Sequence, residues 1–459
     1  EVLEENSKRG EWFNNVFAGI VYYAISEKNK AIDCVQSNLD SDYEKEVSQV
    51  LYDAFKNDNV DVKSLGEKIG LSINYNEVIV KSDINGIFDA DEVSIPIKSI
   101  SGFFRGKESV KADISTLIGS TKQLNKDGTI SVHLTLAVSP WTRLVPAVSY
   151  LMNFPNTCVE HVSSRVIGLA SIRNIAKKGY LKEFSDKTVD NYIKEDFEYL
   201  CRLQLENGGF KYEPSDSNVC WWGTQYVVYA LTLLEESSYE YDKGFLDRAL
   251  DYVKKQMFNN SDSETFNSPV MGLGVVALAM NKKINATELQ TLRKKFQRGD
   301  KESESMLNYA ESFVGEKSFD SMKFKLLSLK PLAVEEGGWA KSNVRRDAFV
   351  LLTNARIGGS SKISDNFADS LFKNLTDKGY WTSTADTGIA LNALAVYFKT
   401  QKPVESNKFT VKVTTNSGTK EVSVGSVPES IELTADEING EIKLQAAVNT
   451  IVNYSIWCK

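Results

Sequence analysis

Gly208-Gly209-Phe210-Lys211-Tyr212-Glu213-Pro214 leads into Val219–Leu234, VCWWGTQYVVYALTLL. The second stretch is apolar nearly all round at helical spacing, the mark of a helix buried on every side. Pro269–Met280 and Thr384–Phe398 share that character. Amphipathic segments alternate with these. Val189, Tyr192, Ile193, Phe197, Leu200 and Leu203 make one helix face, and Phe245, Ala249, Leu250, Val253 and Met257 make another. The pattern predicts hairpins of one buried and one amphipathic helix over residues 139–402, about a dozen helices in roughly six hairpins.

A Gly-aromatic group precedes a buried segment three times: Gly208-Gly209-Phe210, Gly337-Gly338-Trp339 and Gly379-Tyr380-Trp381. Glycine lets the chain turn tightly, and the ring then caps the core of the hairpin.

Outward from this array the period changes. Residues 72–138 hold β-branched segments such as DEVSIPIK and TISVHLTLAV, broken by Asn85-Gly86 and Asp127-Gly128. Residues 403–459 alternate again in KFTVKVTT, TKEVSV and EIKLQAAV, with Asn416-Ser417-Gly418 and Asn439-Gly440 as turn candidates. Strands on both sides of the helices predict one β-sandwich split by a helical insertion. Residues 1–71 read as a small N-terminal helical region, with Trp12, Phe13, Phe17, Ile20, Val21 and Ile25 at helical spacing.

The 459 residues carry a net charge of −7, with 42% apolar and 25% charged side chains. Such a chain buries real cores, and its acidic balance argues against a nucleic-acid partner. There is no run of 18 apolar residues, so no direct membrane span is expected. The sequence begins at Glu1 without Met and shows no signal peptide, as expected of a processed chain or a fragment of a longer protein. The two histidines, His133 and His161, leave little room for histidine-based catalysis. The five cysteines, Cys34, Cys158, Cys201, Cys220 and Cys458, lie far apart with no CxxC pair, which disfavours a structural zinc site. A Cys201–Cys220 disulfide is expected only if their helices are neighbours.

The most unusual segment is Asn153-Phe154-Pro155-Asn156-Thr157-Cys158-Val159-Glu160-His161-Val162-Ser163-Ser164-Arg165. Pro155 can end one element, and Asn156 or Thr157 can cap the next helix. Cys158 would then lie in the first helical turn, where the helix dipole lowers a thiol pKa. His161, three residues on, can face it. Cys158 is then a small buried hydrophobe, half of a thiolate–imidazolium pair, or the remnant of another site.

The last possibility rests on a likeness. The segment resembles the thioester motif of the α2-macroglobulin and complement superfamily, above all its bacterial members. Those carry Cys-x-Glu-Gln shortly after a Tyr-Pro pair, then Thr/Ser residues and Arg. The matches are Phe154-Pro155, Cys158, Glu160, Ser163, Ser164 and Arg165. Three further stretches are similar in the same order: Leu134–Pro140, Gly208–Pro214 with its Trp-rich helix, and Tyr380–Thr387. The resemblance implies an α/α toroid inserted in a split, CUB-like β-sandwich, mainly α with β. In the family the Cys sulfur bonds the γ-carbonyl of the Gln three residues later. Here that position is His161, so the site Cys158, Glu160, His161 is a degenerate thioester site with no acyl half. Trp221, Trp222, Tyr226, Tyr380 and Trp381 are the expected site lining.

The implied function is that of an α2-macroglobulin-like protease trap or inhibitor, or a surface defence scaffold, without a working thioester. Proteases or other proteins, and neighbouring macroglobulin domains of a longer chain, are the implied partners. The expected setting is periplasmic, cell-surface or extracellular. No catalytic residue, metal or cofactor is expected.

Two alternatives remain, the first on the same fold and the second on another helical toroid. One is a non-catalytic cell-surface binding or adhesion module. The other is a toroid enzyme of the terpene cyclase, prenyltransferase or polysaccharide lyase type. The acid clusters of the cyclases are missing from the sequence, and Arg345 and Asp347, which a lyase could recruit, read as an exposed helix start.

Overall fold

The computed structural model describes residues 29, 32, 36, 49, 52, 56, 71–73, 80–82, 98–105 and 110–113. From 132 to 458 it describes all but 156–157, 260–265, 267, 297–298, 316–318, 333–340, 377, 402–407, 426, 435–436, 438–440 and 447–450. Two compact units divide the chain. In the first, the six described positions between 29 and 56 are helical. The same unit holds β1 (Leu71–Ile73) and β2 (Val80–Ser82), an antiparallel pair forming a sheet of their own. The rest of the helical reading of 1–71 lies outside the described residues. So do the turn candidates Asn85-Gly86, Asp127-Gly128 and Asn439-Gly440, and the group Gly337-Gly338-Trp339.

The second unit contains two four-stranded antiparallel sheets and a ring of helices. Its strands are β3 (Lys98–Arg105), β4 (Val110–Asp113), β5 (Val132–Ala137), β6 (Phe409–Thr415), β7 (Gly418–Val424), β8 (Glu429–Leu433), β9 (Glu441–Ala446) and β10 (Ile451–Cys458). One sheet has the order β3-β10-β5-β8 and the other β4-β9-β6-β7. Each mixes strands from before and after the helices, and β10 pairs with both β3 and β5. Asn416 and Ser417 make the turn between β6 and β7, where Thr415 faces Gly418.

Alternation builds the sandwich core. Val132, Leu134 and Leu136 of β5 bury one face, as do Val411 and Val413, Ile442 and Leu444, and Val452 and Ile456. The opposite face of the β5 sheet is buried as well, through Thr135, Asn453 and Ser455. Ser455 there hydrogen-bonds Glu183, which enters from the helical side. Ser101 of β3 donates to the Arg143 carbonyl at 3.0 Å. The sandwich therefore meets the helices through a polar seam.

A 3-10 turn at Pro140–Leu144 leads into twelve helices among the described residues. They are α1 (Val145–Met152), α2 (Val159–Lys177), α3 (Asp186–Leu203), α4 (Trp221–Glu236), α5 (Gly244–Asn259), α6 (Met271–Met280), α7 (Ala286–Arg293), α8 (Lys301–Val314), α9 (Phe319–Leu327), α10 (Asn343–Arg356), α11 (Ser361–Lys373) and α12 (Thr384–Thr400). The even-numbered helices pack side by side in the order α2-α4-α6-α8-α10-α12, and α12 packs back on α2. That closes an inner ring, with the odd-numbered helices outside it. This is the α/α toroid on a split sandwich that the sequence leads one to expect.

Composition explains which helix goes where. Residues 223–234 of α4 are buried without a break, as are Met271–Ala279 of α6. In the outer helix α3 the buried apolar residues Val189, Ile193, Leu200 and Leu203 form a single stripe. Ring closure needs close approach: a Cβ at Gly388 of α12 would lie 2.5 Å from the Ser164 carbonyl oxygen of α2.

The two described Gly-aromatic groups make the same turn. Gly208 has φ +93° and Gly379 φ +80°, values only glycine adopts without strain. In each, a backbone N–H reaches the carbonyl four residues on, Leu205 to Gly209 at 2.8 Å and Thr376 to Tyr380 at 2.9 Å. Phe210 and Trp381 are then driven into the core, where both are fully buried.

Candidate functional site

The site lies at the start of α2. Cys158, in extended backbone, is itself the N-cap, and the helix begins at Val159, one residue later than the sequence leads one to expect. The alternative caps Asn156 and Thr157 lie outside the described residues. The Val159 N–H donates to the Tyr212 carbonyl at 2.9 Å, which ties this helix start to the segment entering α4.

Three side chains meet there. The Cys158 sulfur is 3.1 Å from His161 Nδ1. The other ring nitrogen, Nε2, is 3.4 Å from Glu160 Oε2. Glu160 is held in turn by Ser164 Oγ, which donates to Oε1 at 2.7 Å. Thr384 Oγ1 lies 3.0 and 3.1 Å from its two oxygens. Phe154 packs against the imidazole, with ring centroids 4.6 Å apart.

The surroundings set the charge on the pair. Burial pushes the Cys158 thiol up, but hydrogen bonds from the His161 side chain, the His161 backbone N–H and the Tyr212 hydroxyl outweigh it, and the pKa falls below its ordinary value. Burial depresses His161, yet the Cys158 hydrogen bond and the Glu160 charge prevail and raise it. The other two described cysteines go the opposite way: burial pushes Cys201 to about 12 and Cys220 to about 11. Among these three cysteines, Cys158 alone is held toward thiolate.

The aromatic residues divide. Trp222 stands between Tyr212 and Tyr226, at 5.8 and 6.4 Å. Tyr380 stacks on Tyr150 at 3.8 Å, and Tyr150 meets Phe154, which meets His161. Trp221 instead faces Tyr252 of the outer helix α5 at 6.1 Å. Trp381 is wholly buried beneath α11, its indole N–H on the Leu371 carbonyl at 2.9 Å. These last two make those contacts with the outer helices α5 and α11. Tyr212 was not singled out for the site; it sits far along the chain from Cys158, and only the fold brings its hydroxyl to the sulfur.

A polar belt extends from the site across the same end of the ring. Arg345, at the start of α10, donates from Nε to Glu302 Oε1 at 2.6 Å and from Nη1 to Asp386 Oδ1 at 2.9 Å. Glu302 and Asp386 lie in the first turns of α8 and α12, as Glu160 does in α2. Carboxylates there suit the positive end of each helix dipole. The expectation of an exposed helix start at Arg345 and Asp347 is corrected, since both are buried, Asp347 taking a hydrogen bond from Arg346 at 2.5 Å. The Cys201–Cys220 disulfide is corrected too: both are free thiols. Cys220 caps α4 with its sulfur beside Gly223, while Cys201 lies in the last turn of the outer helix α3.

One ligand atom each from Cys158, Glu160 and His161 lie within 4.8 Å of one another. A thiolate, an imidazole and a carboxylate form a donor set that zinc accepts. The same three groups, in the order sulfur, imidazole, carboxylate, also form the arrangement in which a base activates a thiol and an acid orients the base.

No protein-family model matches the sequence, and a search of curated proteins finds no match. Solved structures do match. Native alpha-2-macroglobulin from Escherichia coli, spanning domain MG7 to the C-terminus, aligns with a TM-score of 0.58 at 15% identity, over 80% of this chain and 57% of that one. Salmonella alpha-2-macroglobulin reacted with methylamine aligns with a TM-score of 0.57 at 15% identity, over 80% of this chain and 24% of that one. The native conformation of the E. coli protein, seen by cryo-EM, aligns with a TM-score of 0.57 at 16% identity, over 80% and 23%. The chain thus spans little more than half of the first and about a quarter of the others. The fold of this chain, a closed α/α ring on a split β-sandwich, is similar to the C-terminal region of bacterial alpha-2-macroglobulin.

Proposed function

We propose that this chain is the toroid-and-sandwich portion of a longer macroglobulin-like protein, and that it works by shape without acylating a target. The observation that carries this reading is His161 at 3.1 Å from the Cys158 sulfur, in the place where an internal thioester needs a glutamine. Imidazole has no carboxamide to surrender, so the sulfur has no acyl partner at that position. The α/α ring and its aromatic surround remain as a scaffold. The role that fits such a scaffold is protease trapping or surface defence, in a periplasmic, cell-surface or extracellular setting.

Two measurements test this. Intact-mass analysis of the native chain is expected to give the unmodified mass, with no loss of ammonia and no methylamine uptake; uptake of one methylamine at residue 161 or elsewhere would end the reading. The full-length protein, mixed with trypsin, is expected to shield the protease from a large protein substrate while leaving a small peptide amide accessible. Denaturing electrophoresis under reducing conditions should then release the protease uncoupled. Full access to the large substrate would favour an adhesion or binding module instead.

A further inference from the structure

Both nitrogens of His161 are engaged, and by chemically different partners. Nδ1 faces a thiol sulfur at 3.1 Å and Nε2 faces a carboxylate oxygen at 3.4 Å. The carboxylate cannot swing away, because Ser164 and Thr384 fix it. A scaffold that only needed Cys158 for packing has no use for a half-buried carboxylate aimed at its neighbour's imidazole. Holding one costs desolvation at Glu160 that a plain apolar contact would avoid.

We propose that Cys158 is a nucleophilic thiolate that forms a mixed disulfide with a disulfide-bearing partner, with His161 as proton donor and Glu160 as positioning residue. This goes beyond the macroglobulin reading and does not depend on it. The Cys158 thiolate attacks one sulfur of the partner's S–S bond. The Cys158–sulfur bond forms as the partner's bond breaks, and the departing thiolate takes the proton from His161. Cys158 is oxidised to the disulfide level and the released sulfur is reduced to a thiol, so no other oxidant is needed.

The arrangement of donors selects this electrophile. The His161 ring lies 3.1 Å from the sulfur, and the His161 backbone N–H and the Tyr212 hydroxyl also favour its thiolate form. Acyl transfer would need donors around a developing oxyanion. Donors on sulfur stabilise the thiolate that displacement at sulfur starts from and returns to. Tyr212 also walls an open groove of about 540 Å³, with Asp216, Asn218, Val219, Cys220 and Trp222. The thiol in that wall, Cys220, is pushed up by burial to about 11, so mapping the labelled residue separates it from Cys158.

The test uses the native chain with two disulfide probes, 5,5′-dithiobis(2-nitrobenzoate) and oxidised glutathione, followed by peptide mapping. One fast-reacting thiol is expected, mapped to Cys158, with the rate retained at pH 6 and one glutathione added at that residue. His161→Ala is expected to slow the pH 6 reaction at least tenfold. Glu160→Gln should keep the fast phase but move its upper pH limit downward, a shift that a merely structural role for Glu160 would not produce. Circular dichroism confirms that each variant is folded. Labelling of Cys158 only after denaturation, a rate that rises only through the ordinary thiol range near ~8.5, or stoichiometric zinc in the purified chain would each overturn the proposal. A thioester would show instead as a sulfur inert to both probes until methylamine is added, which separates the two failures.

Discussion

Thr384 Oγ1 lies 3.0 and 3.1 Å from the two oxygens of Glu160, across the seam where the last inner helix meets the first. The two residues are 224 positions apart. One hydroxyl thus serves both the closure of the ring and the geometry at Cys158. Thr384→Val keeps the shape and removes the donor. Hydrogen bonds to charged groups contribute about 1.5–3 kcal/mol, so urea unfolding should show a loss of that order. Thr384→Ser should recover most of it. An unchanged urea midpoint in Thr384→Val would show that the seam does not rely on this contact.

His161→Gln recreates the Cys-x-Glu-Gln pattern of the thioester motif that this segment resembles. If the local backbone still suits that chemistry, the variant loses one ammonia during folding and gains one methylamine on treatment. Mass spectrometry reads both changes. A variant that keeps its full mass, with Cys158 titrating as a thiol, would mean that the backbone has drifted from thioester geometry as well as the side chain.

Arg345 is the only cation that the described belt offers to both Glu302 and Asp386. Burial raises the Glu302 pKa, and Arg345 works against that rise. Arg345→Met leaves two buried carboxylates uncompensated, and breaking such a pair costs about 3–5 kcal/mol. Chemical denaturation should report that loss, relieved in part as the pH is lowered and the carboxylates take up protons. A loss below about 1 kcal/mol would place Arg345 among the exposed, weakly coupled pairs.

The charge state of the Cys158–His161 pair has a pH window of its own. A depressed thiol contributes stability above its unfolded pKa and loses it as pH falls through the folded one. A raised imidazole contributes below its unfolded pKa and loses it as pH rises through the folded one. The ion pair needs a thiolate and an imidazolium together, so it is lost at low pH as the sulfur takes up a proton and at high pH as the ring gives one up. The stability difference between the native chain and Cys158→Ala should therefore be largest at intermediate pH and shrink on both sides. Thiolate absorbance near ~240 nm should persist well below the ordinary thiol range. A difference that is flat with pH would contradict the pairing.

The ring was legible because burial leaves a mark on sequence. Residues 223–234 of α4 carry no charged side chain, while α3 shows a single apolar stripe. The Gly-aromatic turns were legible because only glycine tolerates the φ that Gly208 and Gly379 adopt. Cys158 and His161 could be paired from their spacing, and the four-residue step from Glu160 to Ser164 carried the same kind of signal. The charge belt was not legible. Arg345-Arg346-Asp347 looks like any solvated helix start, and its neutralising partners Glu302 and Asp386 come from other hairpins. Nor does the position of Trp381 beside Tyr380 reveal that its indole reaches the Leu371 carbonyl of α11.

The strand order β3-β10-β5 also constrains the sequence of events during synthesis. β10 is made after the whole ring yet lies between two strands made before it. Each inner helix can settle on its predecessor as it emerges, with only the α12–α2 seam left to wait. The sheet cannot be completed until Ile451–Cys458 arrives. Non-local pairing of this kind is slow, and a nascent chain halted before β10 would leave the facing edges of β3 and β5 open to strands of other chains. β10 thus acts as a checkpoint: only a chain whose ring residues have already been made can seal this sheet.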